Sequence, residues 1–182
     1  IDDLARHLQL NEARLHDLSI RDHLTSLYNR RYLEETLDYE LQSATRKNTT
    51  LAIMLIDVDH FKEVNDTLGH GAGDMVLQSV GYSILKQVRQ SDIVCRYGGD
   101  EFVILLPDID LDKVIARAEH LRNSTKRLFA ERKDLLPADV TISVGLAVFP
   151  SHGSTVQAIL QSADEALYQA KRQGRDCVVM AK

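Results

Sequence analysis

The fold of this chain is decided by one stretch, Arg96-Tyr97-Gly98-Gly99-Asp100-Glu101-Phe102. Apolar and β-branched residues flank it, Ile93–Cys95 before and Val103–Leu106 after, and such runs favour buried strands. Glycine pairs between strands are typical of hairpins with primed turns, which need positive φ. The stretch therefore predicts a hairpin with two acids directly after its turn. Adjacent strand residues point to opposite faces, so Asp100 and Glu101 are expected to face different directions.

The two acids of this hairpin have two interpretations. In the first they are solvated and keep the turn soluble, which is the better interpretation for an isolated Gly-Gly-Asp-Glu string. In the second, a carboxylate lies beside a backbone without side chains, where a large anionic ligand and a metal ion can approach. The remainder of the sequence has to decide between them.

Length and composition restrict the classes of protein to which the chain can belong. Its 182 residues are enough for one domain with a sizeable core and an appended helix. The net charge of −5 does not indicate a nucleic-acid partner. No apolar run approaches the roughly 18 residues of a membrane span, and no signal peptide is visible.

The two cysteines indicate a reducing compartment. Cys95 and Cys177 lie in apolar, strand-like runs, which is typical of buried reduced thiols rather than of a zinc site. We therefore expect a cytoplasmic location for this part of the chain. Membrane tethering of a full-length protein is compatible with that expectation.

Residues 1–21 are predicted to form a separate signalling or linker helix. Leucines recur at three- and four-residue spacing at Leu4, Leu8, Leu15 and Leu18. This stripe suits either packing on the domain or the end of a coiled coil, and the turn-forming residues from Asp22 onward favour a linker. Because the chain begins at Ile1 rather than Met, we expect an N-terminal sensory domain that precedes it.

Residues 22–182 alternate between strand and helix patterns. Helices are predicted over 30–47 (capped by Asn29), 60–65, 74–89, 111–130 and 156–173, and strands over 51–59, 93–95, 103–106, 140–148 and 177–180. Three glycines between Thr67 and Asp74 predict a tight loop. This order predicts an α/β (α+β) fold with a mixed central sheet and helices on its faces.

Two acids, Asp57 and Asp59, end the apolar strand that begins at Leu51. For Asp59 the simpler interpretation is a cap on the short helix from His60. Asp57 directly follows six apolar residues and is drawn towards burial, which is costly unless the carboxylate is paired, hydrogen-bonded or metal-bound.

Over about residues 22–180 the chain resembles the GGDEF family of diguanylate cyclases. The motifs that carry the resemblance are Arg96–Phe102, Asp57–Asp66, Asp22-x-Leu24-Thr25-x-Leu27-x-Asn29-Arg30-Arg31, Gly69-His70-x-x-Gly73-Asp74 and Ala163-Asp164-x-Ala166-Leu167-Tyr168-x-Ala170-Lys171-x-x-Gly174-Arg175. The resemblance implies a palm-like nucleotidyl cyclase fold. It also implies condensation of two GTP into cyclic di-GMP with release of two pyrophosphates, by a two-fold homodimer.

The resemblance also implies roles for individual residues. It assigns Mg²⁺, with Mn²⁺ as an alternative, to Asp57, Asp100 and the Val58 carbonyl, which are hard oxygen ligands. Asp100 and Glu101 are the catalytic residues, Asp100 as the general base and Glu101 in contact with a second metal or the 3′-hydroxyl; these two roles are not separable from sequence. The substrate contacts are Gly98 and Gly99 for the nucleotide, Asn65 and Asp74 for guanine, and Lys62, Lys171 and Arg175 for the phosphates.

Simpler interpretations exist for some of these residues. Lys171 and Arg175 also fit ordinary charge at a helix C-terminus, and Phe61 fits core packing as well as a base pocket. A catalytically silent module that binds GTP or cyclic di-GMP, and a GTP-using cyclase with another product, are the competing functions. The intact acids Asp57, Asp100 and Glu101 favour an active enzyme.

Arg89 and Asp92 resemble the family's inhibitory site, at which cyclic di-GMP binds as product and inhibitor. Alone, an Arg-x-x-Asp string is typical of a surface ion pair. The family's second arginine is replaced here by His120, with Arg117 and Arg122 nearby, which leaves the strength of inhibition open.

Overall fold

The computed structural model describes residues 19–132, 136 and 139–182. Its strands are β1 (Tyr28–Asn29), β2 (Leu51–Val58), β3 (Ile93–Arg96), β4 (Glu101–Pro107), β5 (Ile142–Phe149) and β6 (Val178–Met180). Its helices are α1 (Arg30–Lys47), α2 (Phe61–Leu68), α3 (His70–Leu85), α4 (Leu111–Ala130) and α5 (Val156–Arg172). The helix predicted over residues 1–21 lies outside the described residues, apart from Ser19 and Ile20, which are helical, and Arg21, which forms a β-bridge with Tyr28.

The strands form one mixed sheet in the order β1-β3-β4-β2-β5-β6. The outer pairs β1–β3 and β5–β6 are parallel, and the inner pairs are antiparallel. The predicted fold class is confirmed. The two-residue strand β1 escaped prediction because a segment of that length has no measurable periodicity.

Strand β2 is the centre of the molecule because its two faces belong to two separate cores. Its even-numbered residues, Ala52 to Val58, pack with α2, α3 and α4. Its odd-numbered residues from Leu51 to Leu55 pack with α1 and α5. All eight residues are buried, as the continuous apolar run predicted. Asp57 continues the odd-numbered face and therefore lies on the side of α5.

Helix α1 begins and ends as its sequence predicts. The Asn29 side chain accepts a hydrogen bond from the Tyr32 backbone N–H at 3.1 Å, which caps the first turn. Leu33, Leu37 and Leu41 are buried on one face of the helix. Asn48, in the left-handed conformation, ends it.

The predicted glycine loop between Thr67 and Asp74 is wrong over most of its length, because α3 already begins at His70. Gly69 does turn the chain, with φ of 83°. Gly73 lies inside α3, where a Cβ atom would stand 2.0 Å from Asn65 Oδ1. This glycine is therefore needed for the close approach of α2 and α3 rather than for a turn.

The central hairpin is confirmed, but its predicted primed turn is wrong. Arg96 pairs with Phe102, and the backbone N–H groups of Tyr97 and Gly98 donate to the Glu101 carbonyl. Among the described residues, the glycines with positive φ are Gly69, Gly153 and Gly174, so Gly98 and Gly99 are not left-handed. Four residues connect the strands, and a loop of that length reverses the chain without the positive φ of a two-residue turn.

Candidate active site

The two acids predicted to hold metal lie at neighbouring strand ends. Strands β2 and β4 are antiparallel, and Asp57 stands directly opposite Glu101 in the register. Asp100 precedes Glu101, and its carbonyl accepts a hydrogen bond from the Val58 N–H at 3.1 Å. The end of one central strand and the start of the next therefore place Asp57, Val58 and Asp100 together.

A cleft of about 490 Å³ opens in front of these strand ends. Six of the predicted site residues line it: Asp57, Val58, Lys62, Asp100, Lys171 and Arg175. Glu101 instead lines a neighbouring cleft of about 470 Å³ against α5, and Lys171 borders both clefts. The expectation that the two hairpin acids face different directions is confirmed.

Asp57 is a buried carboxylate with an unusual proton affinity. Burial raises its pKa to about 6, the hydrogen bond from Lys171 opposes that increase, and the charge of Asp100 adds to it. The Lys171 Nζ lies 2.7 Å from Asp57 Oδ2. Lys171, which the sequence predicts as a phosphate contact, thus forms an ion pair with Asp57 that the sequence did not predict.

The donor set at these strand ends suits Mg²⁺. Two carboxylates and a main-chain carbonyl are hard oxygen ligands, and the repulsion between Asp57 and Asp100 is relieved by a cation. In the part of the chain that the structure describes, no group of three or more His, Cys, Asp or Glu could hold a metal ion. Mg²⁺ fits nonetheless, because it retains waters and takes further ligands from substrate phosphates.

A second group of predicted residues meets where α2 packs on α3. Asn65 Oδ1 is buried and has no hydrogen-bond partner, which is costly for a polar atom unless a ligand supplies a donor. Gly73 lies against Asn65 and against the Phe61 ring. Asp74 follows directly and is exposed. Asn65 and Asp74, the predicted guanine contacts, are thus brought to one junction.

Asp59 does not cap α2, which corrects the sequence interpretation. His60 occupies the N-cap position and makes no side-chain capping bond. The Asp59 side chain is instead buried, and it accepts hydrogen bonds from the hydroxyls of Thr141 and Ser143 at 2.7 and 2.8 Å. The interpretation failed because these partners lie more than 80 residues away in sequence.

Sequence reasoning also missed the bracing of the hairpin loop by Arg96. Its guanidinium donates to both carboxylate oxygens of Asp22 at 3.2 Å and to the Gly99 carbonyl at 2.8 Å. Although burial alone would raise the pKa of Asp22, hydrogen bonds from Thr25 and Arg96 lower it. Asp22 and Arg96 both lie in motifs that carry the family resemblance, and this was the one sign in the sequence of a contact between them.

Of the two predicted inhibitory residues, Arg89 lines a third cleft, of about 260 Å³, and Asp92 does not. Asp92 accepts a hydrogen bond from the Arg89 backbone N–H at 2.7 Å and is paired with the Arg117 guanidinium, its side chain being 1% exposed. The basic residues that line the cleft are Arg89, Lys113, Arg117 and His120. Arg122 lies elsewhere and pairs with Asp176.

The two cysteines are free thiols. Cys95 is buried, and burial raises its pKa to about 12. Cys177 is half-buried, which is less than the sequence predicted. Among the described residues, no helix has both the length and the apolar character that a membrane crossing requires.

Comparisons with known proteins converge on one family. A family model described as "Diguanylate cyclase, GGDEF domain" matches residues 19–177. The response regulator PleD of Caulobacter vibrioides is 40% identical over 166 residues, which is 90% of this chain and 36% of that protein. The diguanylate cyclase DosC of Escherichia coli is 41% identical over 174 residues, 94% of this chain and 37% of that protein.

A solved structure extends the similarity to three dimensions. The coiled coil and GGDEF domain of DgcB from Caulobacter crescentus, in complex with c-di-GMP, superposes with a TM-score of 0.87 at 30% identity. The similarity covers 99% of this chain and 96% of that one. The chain spans a little over a third of the length of the two relatives above.

Proposed function

The chain belongs to the GGDEF family of diguanylate cyclase domains, and we propose that it condenses two GTP into cyclic di-GMP with release of two pyrophosphates. One observation carries the proposal: a single cleft of about 490 Å³ is lined by the candidate metal-binding acids and by the candidate phosphate-binding cations. Residues 22–182 would then be the catalytic domain, and residues 1–21 would be a signalling or linker segment.

Mg²⁺, or Mn²⁺, would be held by Asp57, Asp100 and the Val58 carbonyl. When bound, the ion supplies positive charge that stabilises the triphosphate and makes the attacking hydroxyl more acidic. Lys62, Lys171 and Arg175 would bind the phosphates from the remaining sides of the cleft. Arginine suits this task because its planar guanidinium donates two parallel hydrogen bonds to phosphate oxygens.

Guanine would be recognised at the junction of α2 and α3. The unpartnered Asn65 Oδ1 accepts a hydrogen bond from the base, and the exposed Asp74 carboxylate accepts from guanine N1 and N2. Adenine lacks these donors and would leave both acceptors unpaired, which discriminates strongly between the two bases. Gly98 and Gly99 let the hairpin backbone approach the nucleotide.

The reaction itself requires a second protomer. The 3′-hydroxyl of one GTP attacks the α-phosphate of the GTP held by the partner, so that an O–P bond forms and the bond to pyrophosphate breaks. Asp100 accepts the hydroxyl proton. Repetition of the step in the opposite direction closes the ring, and a two-fold homodimer supplies this symmetry. Glu101 borders the neighbouring cleft, from which it can complete the contacts to the hydroxyl or to a second metal.

Product inhibition would act at the cleft of Arg89 and Asp92. Cyclic di-GMP is a dianion with two guanine edges. Four basic side chains line this cleft, and the buried Asp92 carboxylate lies behind it against Arg117. In the free protein Arg117 already occupies the Asp92 carboxylate, so product must compete with this ion pair. His120 stands where the family has a second arginine, and an imidazole lacks the two parallel N–H donors with which a guanidinium binds phosphate.

The proposal is tested by incubating the chain with GTP and Mg²⁺ at several protein concentrations and separating the products by chromatography. We expect cyclic di-GMP, with activity that rises faster than linearly with protein concentration because the dimer is the active species. The Asp100→Asn variant is the matched control and should bind nucleotide without turnover. Absence of cyclic di-GMP from a demonstrably dimeric sample would instead support a silent binding module, and another nucleotide product would support a different cyclase.

A further inference from the structure

We propose that Asp59 is a positioning residue, which locks the loop at residues 174–176 onto the end of β2 and thereby sets Arg175 at the phosphate side of the cleft. The inference rests on the proposed function, because it assigns a role to a residue behind the proposed GTP site.

The Asp59 carboxylate is fully engaged by the protein. Its side chain is 0% exposed, and a buried charge is tolerated only when it is hydrogen-bonded or paired. Thr141, just before β5, and Ser143, within it, donate to it, and the Asp176 backbone N–H donates to its Oδ2 at 3.1 Å. Three donors leave little acceptor capacity for a metal or a substrate. Asp59 therefore differs from Asp57, whose only hydrogen-bond donor among the described residues is Lys171.

The contact with Asp176 fixes a loop whose backbone is unusual. Gly174, Arg175 and Asp176 are consecutive residues with positive φ, of 111°, 66° and 45°. Arginine rarely adopts this conformation, and it persists only where surrounding contacts determine the backbone. Asp59 supplies one such contact through the main chain of this loop.

Helix α4 holds the same loop from its other side. The Asp176 carboxylate accepts a hydrogen bond from Arg122 Nη1 at 2.6 Å and another from Lys126. Asp176 is thus fixed between Asp59, through its backbone, and α4, through its side chain. Arg175 is the residue that precedes this double attachment, and its Nε lies 4.0 Å from Asp59 Oδ1.

The consequence is that one buried carboxylate joins the two halves of the cleft. Asp59 lies two residues after Asp57, directly beyond the end of β2. Through Asp176 it also determines where the candidate phosphate ligand Arg175 stands. Loss of the Asp59 charge should therefore weaken nucleotide binding through Arg175 while leaving Asp57 and Asp100 in place.

The experiment measures binding of α,β-methylene GTP, which cannot release pyrophosphate, to the full chain by calorimetry. For Asp59→Asn we expect about tenfold weaker binding, as is typical when a supporting residue behind a site is removed. In an Arg175→Ala background the same substitution should cost less than about twofold, because its effect passes through Arg175. The inference would be overturned if the loss of affinity in the double variant equalled the product of the losses in the two single variants. It would also be overturned if Asp59→Asn bound the analogue with wild-type affinity.

Two further variants separate positioning from stability. Ser143→Ala removes a donor from the same carboxylate but leaves the loop attached, so analogue affinity should stay within about twofold of wild type while stability falls. Arg122→Gln weakens the contact between α4 and the loop at residues 174–176 and keeps Asp59 intact. It therefore tests whether the position of this loop affects binding even if Asp59→Asn does not fold. Its affinity should fall in the same direction, and an unchanged value would contradict the inference.

Hydrogen exchange distinguishes this inference from the proposed function. The Asp176 amide should be protected in wild type and should exchange faster in Asp59→Asn, because a neutral amide oxygen is a weaker hydrogen-bond acceptor than a carboxylate. This measurement needs neither GTP nor turnover. A chain that makes no cyclic di-GMP would refute the proposed function but would leave this prediction intact. Equal exchange in wild type and in Asp59→Asn would refute only the inference that Asp59 fixes the loop at residues 174–176.

Discussion

Replacing Asp57 with asparagine should abolish turnover and, in the absence of divalent cations, make the domain more stable. The Asp57 side chain is 10% exposed, and its pKa of about 6 compares with an ordinary value of 3.8. At 1.36 kcal/mol for each pKa unit, the charged form is disfavoured in the folded state by about 3 kcal/mol. Asparagine keeps the shape without the charge. Lys171, which loses its partner, is 35% exposed and can be hydrated instead.

The stability difference between Asp57→Asn and wild type should depend on pH in a defined direction. Because the folded state binds the Asp57 proton more tightly than the unfolded state, the contribution of Asp57 to wild-type stability becomes more favourable as pH falls from above 6 towards 3.8. The advantage of Asp57→Asn should be about 1–3 kcal/mol at pH 8 and roughly half of that at pH 5. All other titrating groups are shared by the two proteins, so their difference in stability isolates Asp57.

Urea unfolding followed by circular dichroism in EDTA, at pH 8 and pH 5, measures both values. Asp66→Asn is the matched control, since Asp66 is an exposed acid at the same cleft and should show no such pH-dependent gain. A variant less stable than wild type at pH 8, or a gain that is equal at both pH values, would show that Asp57 is not destabilised by burial. Adding Mg²⁺ and GTP analogue should stabilise wild type more than Asp57→Asn, which lacks one candidate metal ligand.

Further substitutions test other parts of the molecule. Arg89→Ala should raise the cyclic di-GMP concentration needed for half-inhibition at least about tenfold, and an inhibition curve equal to wild type would refute the assignment. Asn65→Ala should raise KM for GTP about tenfold with little change in unfolding free energy, because its Oδ1 has no partner within the protein. Gly145→Ala should destabilise the fold by about 3 kcal/mol, measured by urea unfolding, since its Cβ would lie 2.2 Å from the Ala163 carbonyl oxygen and 2.4 Å from the Leu167 nitrogen. Arg96→Ala should lower kcat by loosening the Gly99 carbonyl, while Arg30→Ala, which removes an exposed arginine near the same loop, should not.

The sequence predicted those parts of the fold that depend on local patterns. Continuous apolar residues identified β2 as buried on both faces, and Asn29 marked the start of α1. The glycines at 69–73 misled the prediction, because glycine serves both turns and close helix packing, and periodicity does not distinguish these uses. Gly73 is required by Asn65, which lies eight residues earlier on a different helix.

The same limit applies to the candidate site. Six residues that the motifs singled out line the main cleft, since the motif positions fall at strand ends and helix starts. The partners of Asp59, and the ion pair between Lys171 and Asp57, join residues more than 80 positions apart. Such pairs depend on how β2, β5 and α5 come together, and no local pattern encodes that arrangement.

Under the proposed function, the ion pair between Lys171 and Asp57 would link metal affinity to nucleotide affinity. The ammonium group and a divalent cation would compete for the same carboxylate, so a free cation would have to displace Lys171 from Asp57. A triphosphate offers Lys171 another partner and leaves Asp57 open to the ion. The two ligands should therefore bind with positive cooperativity, and by thermodynamic reciprocity each strengthens the other by the same factor. Even at high Mg²⁺ concentration, the ion would therefore occupy Asp57 mainly after GTP has bound.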